Sequence, residues 1–260
     1  NRLLDSSNSY TTPTNPSDGS LTSSQRVSMY ATYTTSDTGT NTASLDLEAS
    51  ANQYASRADT ASLSLTNSLT VEMWIKPESL PSGDGMILAS KVNGSVNLGG
   101  WIFLLADIGG GDVRLEAQVS DGAHTGNERA DNIGTTNFAS PSLVGTWVHV
   151  AFDWVAGTGN RPHIYINGVD DGSSSSYTDS NATLDNNAPT YIGARENGGA
   201  KQFFDGKIDD VRIWNVARGV SAIASNYNRE IAGNESGLVA YWTLDNTPDD
   251  VTVNANDLAL

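Results

Sequence analysis

The feature that most constrains this chain is a series of short runs in which apolar and polar residues largely alternate, separated by Gly, Asn, Asp and Pro. Alternation at every second position places the apolar side chains on one face of a strand. Many such strands separated by turn residues are typical of a two-sheet antiparallel sandwich. The sequence therefore predicts an all-β fold, with strands at residues 44–47, 53–56, 69–76, 85–92, 100–106, 113–119, 146–154, 163–166, 190–194, 203–214 and 238–244.

Two local signals add detail to this pattern. Asn167-Gly168 follows an apolar run, and this dipeptide supplies both positive φ angles that a tight hairpin of type I′ needs. Ile223, Tyr227 and Ile231 recur at helical spacing after an Arg-Gly turn. The sequence therefore predicts a two-residue hairpin at Asn167-Gly168 and one short helix near residues 221–230.

The two ends of the chain differ from its middle. Residues 1–43 are dominated by Ser, Thr, Asn, Gly and Pro, which offer little apolar surface to offset the entropy of ordering. We therefore expect a linker or stalk, in which the strand formers of residues 27–34 are available to add an edge strand. Residues 44–260 are expected to form the folded domain, and residues 251–260 are expected either to close the sandwich or to begin another module.

Charge and composition exclude several classes of partner. The chain has 14 basic and 30 acidic side chains, a formal charge of -16, which repels nucleic acid and anionic lipid headgroups. It has no cysteine, so a disulfide framework and a thiolate metal site are both excluded. No apolar run approaches the roughly 20 residues that cross a bilayer. We expect an extracellular or cell-surface protein whose export signal lies outside this sequence.

Four sequence blocks occur in one order along the chain. They are residues 69–77 (LTVEMWIKP), 145–153 (GTWVHVAFD) with 164–168 (IYING), 191–193 (YIG), and 204–215 (FDGKIDDVRIWN). Together they resemble the laminin-G-like and pentraxin-like domains of the concanavalin A-like superfamily, over about residues 44–246. The resemblance implies a two-sheet antiparallel jelly-roll sandwich.

The resemblance also implies a metal site. In the laminarinase-like branch of the superfamily, the aspartate that matches Asp209 helps to hold a structural calcium with an acid near the first strand, and Asp46 is the positional match. Calcium takes about six to eight oxygen ligands, so loop carbonyls and water would supply the rest. The alternative is that Asp209 only caps a turn or pairs with Arg212.

A second expected site lies on the rim of the sandwich. Pentraxin-like members bind calcium and ligand in the loop after the strand that resembles residues 191–193. Here Glu196 and Asn197 keep oxygen donors, whereas Arg195 stands where the pentraxin pattern has an acid. A guanidinium suits a ligand carboxylate or sulfate instead. Asn93 is predicted to form the opposite wall, and Trp101 is a further candidate for ligand contact because the preceding Gly99-Gly100 suggests a loop.

Other conspicuous residues are expected to serve the fold. Strand-interior aromatics usually pack inward, which predicts core positions for Trp74, Trp147, Trp214 and Trp242. His149, within an apolar strand, is expected to be a core group as well. The two carboxylates that a glycoside hydrolase needs are not found in the laminarinase-like pattern, and no nucleophile elbow or phosphate loop occurs.

Two functions remain open at this stage. The first is a non-catalytic binding module for glycans or a glycoprotein surface, with a loop stabilised by calcium. The second is an assembly subunit of a surface fibre, sheath or virion, in which the N-terminal segment pairs with a neighbour's sheet edge.

Overall fold

The computed structural model describes residues 28–29, 43–94, 99–120, 130–157, 160–173, 175–177 and 184–260. Within these residues there is one α-helix, α1 (Gly219–Asn226), and a short 3-10 turn at Ala49–Ala51. The strands are β1 (Ser28–Met29), β2 (Leu45–Leu47), β3 (Ala55–Arg57), β4 (Ser68–Pro77), β5 (Met86–Val92), β6 (Gly100–Gly109), β7 (Asp112–Ser120), β8 (Ala130–Ile133), β9 (Val148–Val155), β10 (His163–Ile166), β11 (Val169–Asp170), β12 (Ser175–Tyr177), β13 (Thr190–Ile192), β14 (Arg195–Glu196), β15 (Ala200–Lys201), β16 (Gly206–Trp214) and β17 (Leu238–Trp242).

The strands form two large antiparallel sheets and one small one. The eight-stranded sheet has the order β1-β2-β16-β4-β9-β10-β11, with β17 also paired to β16. The seven-stranded sheet has the order β12-β8-β7-β6-β5-β13-β3, and β14 pairs with β15 in a separate hairpin. This architecture confirms the predicted two-sheet sandwich.

The core lies between the inner faces of the two sheets. Val71, Met73 and Ile75 alternate along β4 and are completely buried in it. Phe103 of β6 meets Phe152 of β9, with ring centroids 5.0 Å apart. Because alternate residues of each strand face inward, burial of these apolar groups holds the two sheets together.

Both local predictions are confirmed. Ile166 pairs with Val169, which leaves Asn167 and Gly168 as a two-residue turn with φ angles of 50° and 77°. The helix is present but begins two residues before the predicted segment and ends four residues before its end. Ile231, expected at helical spacing, instead packs beside Trp214 and Tyr241.

The helix covers part of the outer face of the eight-stranded sheet. Ile223 packs on Ala151 and Tyr165, and the carboxylate of Asp153 accepts a hydrogen bond of 2.6 Å from the N–H of Gly219 at the start of the helix. After the helix, the carbonyl of Tyr227 accepts a hydrogen bond of 3.0 Å from Nε1 of Trp74. No helix among the described residues is long and apolar enough to span a lipid bilayer.

A network of buried charges lies beneath this helical segment. Glu72 is completely buried, and its Oε1 accepts hydrogen bonds from Nη1 of Arg218 at 2.7 Å and from Nε1 of Trp214 at 2.9 Å. Arg212 donates to the carbonyls of Asn226 at 3.1 Å and Arg229 at 2.6 Å. The segment around α1 is therefore fastened to the sheet by ions as well as by apolar contacts.

The tryptophans expected in the core occupy three environments. Trp242 lies in the main core, whereas Trp74 and Trp214 are buried outside it, on the outer face of the eight-stranded sheet. Trp147, just before β9, is only half-buried. His149 is buried between Trp74 and Tyr227, with ring centroids 5.6 and 5.5 Å away.

The two chain ends each meet a sheet edge. Residues 28–29 pair with Asp46 and Leu45 at the edge of the eight-stranded sheet, whereas the rest of the expected linker, residues 1–27 and 30–42, lies outside the described residues. Ala259 exchanges two hydrogen bonds with Ser56 of β3, at 2.7 and 2.8 Å. The described residues at this end of the chain therefore lie against β3, the edge strand of the seven-stranded sheet.

Candidate functional site

A groove of about 570 Å³ opens at one rim of the sandwich, between the loop that follows β4 and the β14–β15 hairpin. The hairpin side contributes Arg195, Asn197 and Lys201. The remaining lining residues are Ser79, Leu80, Pro81, Ser82, Asp84, Gly85, Met86, Gln202 and Phe203. Two of the residues predicted for ligand contact, Arg195 and Asn197, thus lie together in one cavity.

Glu196 shapes the hairpin. Its Oε1 accepts a hydrogen bond of 2.8 Å from the N–H of Gly199, and its Oε2 accepts one of 3.0 Å from the hydroxyl of Tyr191. The first bond closes the turn, and the second ties the turn to β13. Glu196, also predicted as a ligand contact, therefore stabilises the hairpin that carries Arg195 and Asn197.

Gly193 sets the direction in which the chain leaves β13. Its φ is +82°, and a Cβ at this position would lie 2.3 Å from Cδ1 of Leu47. Its N–H donates to the carbonyl of Leu88 at 2.8 Å, and its carbonyl accepts from the N–H of Phe204 at 2.9 Å. A glycine is needed here because the backbone turns over a core leucine in a left-handed conformation.

Arg195 is a cation without a counter-ion in direct contact. It is half-buried, its Nε has no hydrogen-bond partner, and its guanidinium makes no ion pair with a described residue. Burial lowers the pKa of Arg195, and the charge of Asp84 partly offsets that effect. The groove therefore holds an incompletely satisfied positive charge.

Gln202 is the second incompletely satisfied group of the groove. Its Nε2 donates to the carbonyl of Gly85 at 3.3 Å, but its Oε1 is buried without a hydrogen-bond partner. Its φ of 54° lies in the left-handed region, which costs a residue with a side chain about 1 kcal/mol. Strained, under-satisfied polar residues of this kind concentrate at binding sites.

An aromatic surface borders these polar groups. Phe203 lines the groove and is half-buried, and its ring stacks on Tyr54 at 6.2 Å with an interplanar angle of 27°. Tyr54 in turn packs on Tyr191 at 5.5 Å. The three rings form a supported platform, a type of apolar surface that binding pockets combine with a few polar groups.

Asn93 does not form the opposite wall of this groove. β13 runs antiparallel to β5 and carries the chain toward Met86, at the beginning of β5, whereas Asn93 follows its end. The six residue steps of β5 separate the two ends by about 20 Å. Asn93 is exposed, but at the far end of the strand.

Trp101 is also misplaced in the prediction. It is 1% exposed and lies in the main core, 6.2 Å from the ring of Phe152. The preceding Gly100 does not mark a loop: a Cβ there would lie 1.9 Å from the carbonyl oxygen of Lys91, so glycine permits close strand packing. The side chain of Trp101 is therefore unavailable to a ligand.

A group of acids lies next to the groove. Carboxylate oxygens of Asp46, Glu48 and Glu78 all come within 4.8 Å of one another. Lys207 forms ion pairs with Asp46 and, at 3.4 Å, with Glu78. Burial raises the pKa of Asp46, against the opposing effect of Lys207, and burial likewise raises the pKa of Glu48.

This acidic group is joined to the groove through Asp205. Oδ2 of Asp205 accepts a hydrogen bond of 2.6 Å from the hydroxyl of Ser79, a groove residue. The backbone carbonyl of Asp205 accepts a bond of 2.9 Å from the N–H of Glu78. The same short loop therefore carries one member of the acidic group and one wall of the groove.

Asp209, the predicted partner of Asp46, is not a member of this acidic group. Asp209 is completely buried, at an irregular point of β16, and its Oδ1 accepts a hydrogen bond of 3.0 Å from the N–H of Asp210. Among the described residues, Glu48 and Glu78 stand with Asp46 instead. This carboxylate set fits calcium, and Oδ1 of Asp46 is buried without a hydrogen-bond partner.

The sequence signals missed several residues of this rim. Phe203 is the first residue of the predicted strand at 203–214, and Gln202, which precedes it, carries no signal of its own. Glu78 follows the conspicuous Pro77 but has no spacing relation to Asp46. Only the tertiary fold brings these segments together.

Comparisons with known proteins agree with this fold. The model of the laminin-G family in the concanavalin A-like lectin/glucanases superfamily matches residues 49–224. A search of curated protein sequences returned no match.

Three solved structures are similar in fold. The first is a protein from Bacteroides ovatus, provisionally described as carbohydrate-binding (TM-score 0.56, 21% identity, 79% of this chain and 54% of that one). The second is domain 4 of a GH43 extracellular arabinanase from Geobacillus stearothermophilus in complex with arabinotriose (TM-score 0.51, 20% identity, 78% and 81%). The third is the binding domain of Paraclostridial Mosquitocidal Protein 1 (TM-score 0.54, 18% identity, 78% and 45%).

The chain spans about half the length of the first of these structures. At such low identity the likeness shows the fold alone. The family model is more specific because it covers about two thirds of the chain, including most strands of both sheets and the groove hairpin. The chain therefore belongs to the laminin-G family of the concanavalin A-like lectin/glucanases superfamily.

Proposed function

We propose that this domain is a non-catalytic module that binds a glycan, free or on a glycoprotein, in the rim groove. The observation that carries the proposal is that the guanidinium of Arg195, which makes no ion pair with a described residue, and the half-buried Phe203 line the same groove. Sugars present an apolar face that packs on an aromatic ring, and hydroxyl groups that bond to amides and guanidinium groups. Asn197 and Gln202 supply the amides.

The similar structures support a binding role in general terms. One is provisionally described as carbohydrate-binding, one holds arabinotriose and one is a binding domain. A module of this kind fits an extracellular or cell-surface setting, where glycans are abundant. The strongly acidic charge is consistent with such a setting and disfavours nucleic acid as a partner.

Calcium is proposed as a structural ion at the acidic group. Asp46, Glu48 and Glu78 would hold it, and it would fix the loop that forms one groove wall. Lys207 now contributes positive charge at that position, so an incoming ion would displace its ammonium group from Asp46.

The alternative role as an assembly subunit has less support. It requires the N-terminal segment to pair with the sheet of a neighbouring molecule. Ser28 and Met29 instead pair with Asp46 and Leu45 of the same chain.

The proposal is tested on a glycan array with matched variants. The wild-type domain is expected to retain a restricted set of glycans, and Phe203→Ala and Arg195→Gln are expected to lose them. Arg114→Gln is the control because Arg114 pairs with Asp112 on β7, outside the groove. Silence of the wild type across the array, or retention by both groove variants, would refute the proposal, and cleavage of a bound glycan would refute its non-catalytic part.

A further inference from the structure

The groove carries charges of both signs. Its lining contains two cations, Arg195 and Lys201, and one acid, Asp84. Lys201 is exposed, whereas Arg195 is half-buried. The chain as a whole carries a formal charge of -16, so this groove departs from the sign of the surrounding protein.

The guanidinium of Arg195 lacks a counter-ion in direct contact among the described residues of the groove. A partly buried charge is normally paired, because removal of water from an unpaired ion is costly. Buried arginines elsewhere in the chain follow that rule: Arg212 and Arg218 both contact Glu72. Arg195 makes no such contact with a described residue, although Asp84 lines the same groove.

A neutral sugar would leave this charge uncompensated. Hydroxyl groups can accept its hydrogen bonds but bring no negative charge. A carboxylate or a sulfate ester matches the planar fork of a guanidinium with two parallel hydrogen bonds. Lys201 can add a second, more distant attraction, while the nearby charge of Asp84 disfavours a densely charged anion.

We propose that the groove recognises an acidic glycan through one carboxylate or sulfate group bound to Arg195, with a neighbouring sugar ring on Phe203. This inference rests on the proposed glycan-binding function and specifies its ligand class. The overall negative charge of the protein should make this recognition selective. At long range the protein repels polyanions, so only the local contact with Arg195 can attract them.

The test compares matched pairs of oligosaccharides. One pair is a trimer of galacturonic acid and its carboxyl-reduced, neutral counterpart, and the other is a sulfated galactan trimer and its desulfated form. Wild-type protein is expected to bind at least one acidic member about tenfold or more tightly than its neutral counterpart in calorimetry. The pair that shows the preference identifies the anion.

Variants then assign the preference to Arg195. Arg195→Gln is expected to bind the acidic member as weakly as the neutral one, Arg195→Lys to keep part of the preference, and Arg114→Gln to keep all of it. Melting temperatures of all three verify folding.

Equal binding of acidic and neutral members by wild type, with loss in Phe203→Ala, would overturn this inference and leave glycan binding intact. An acid preference that persists in folded Arg195→Gln would overturn it too. Binding of none of the four probes, together with silence on the array, would overturn both.

Discussion

Nη1 of Arg218 lies 2.7 Å from Oε1 of Glu72, and this contact joins the start of the helical segment to a completely buried carboxylate in the middle of β4. Arg212 approaches the same oxygen at 4.0 Å and fastens the end of the segment. Burial would raise the pKa of Glu72, but the His149 ring, whose Nε2 lies 3.6 Å from Oε2, and the charges of Arg212 and Arg218 outweigh it and lower the value to about 2. Glu72 is thus the buried ion that joins the helical segment to the eight-stranded sheet.

Replacement of Glu72 by Gln should lower the free energy of unfolding by about 3 to 5 kcal/mol, because it leaves two buried guanidinium groups without their carboxylate. Urea denaturation measures the change. Asp112→Asn removes a half-exposed ion pair with Arg114 and should cost far less. Equal losses in the two variants would show that the buried network contributes no special stability.

Stability should fall as the solution is acidified. Burial lowers the pKa of His149 below its ordinary 6.5, so below that pH the unfolded chain takes up a proton that the folded chain does not. The depressed pKa of Glu72 adds a further loss of stability from about pH 4.5 down to about 2. Melting temperatures measured across this pH range test the expectation. His149→Gln should reduce the fall in melting temperature in the upper part of the range, just below pH 6.5. A profile identical to wild type in that variant would exclude His149 as the cause.

Gly193→Ala should destabilise the domain by roughly 1 to 3 kcal/mol, since the new Cβ strains the backbone and meets Leu47. Leu47→Ala alone creates a cavity and is the reference. The double variant should lose less stability than the sum of the two single changes, because the clash disappears while the strain stays. Simple additivity would mean that Leu47 does not restrict this position.

Millimolar calcium should raise the melting temperature by a few degrees, by binding the folded form at Asp46, Glu48 and Glu78. Glu78→Gln should remove the effect. Lys207→Met should enlarge it, because no ammonium group then competes for Asp46. Magnesium, which demands a tighter octahedral shell, is the control ion. Equal melting temperatures in calcium and in a chelator would refute the site.

The sequence predicted the elements of this fold because their signals are local. Alternation locates strands such as β4 and β9, and Asn167-Gly168 identifies its turn without knowledge of distant contacts. What it did not predict is which strand ends meet. Asn93 and Arg195 were assigned to one rim, but antiparallel pairing of β13 with β5 separates them.

The site was predictable in part for the same reason. Arg195 and Asn197 follow a recognisable strand, whereas Gln202, Phe203 and Glu78 join the rim only through tertiary structure. Gly99-Gly100 wrongly indicated a loop, because glycine occurs both in loops and where strands pack closely. Only the tertiary structure distinguishes the two cases: a Cβ on Gly100 would lie 1.9 Å from the carbonyl oxygen of Lys91. Trp74 was correctly expected to be buried, but its cover is the segment after α1 rather than the opposite sheet.

The bridge between Ser56 and Ala259 has a consequence for behaviour at high concentration. A bare strand border invites the backbone of another molecule to extend the sheet, which is how many β proteins begin to aggregate. Here the chain's own tail occupies hydrogen-bonding positions on β3. Removal of that tail should expose these backbone groups of β3 and favour association of sheets edge to edge.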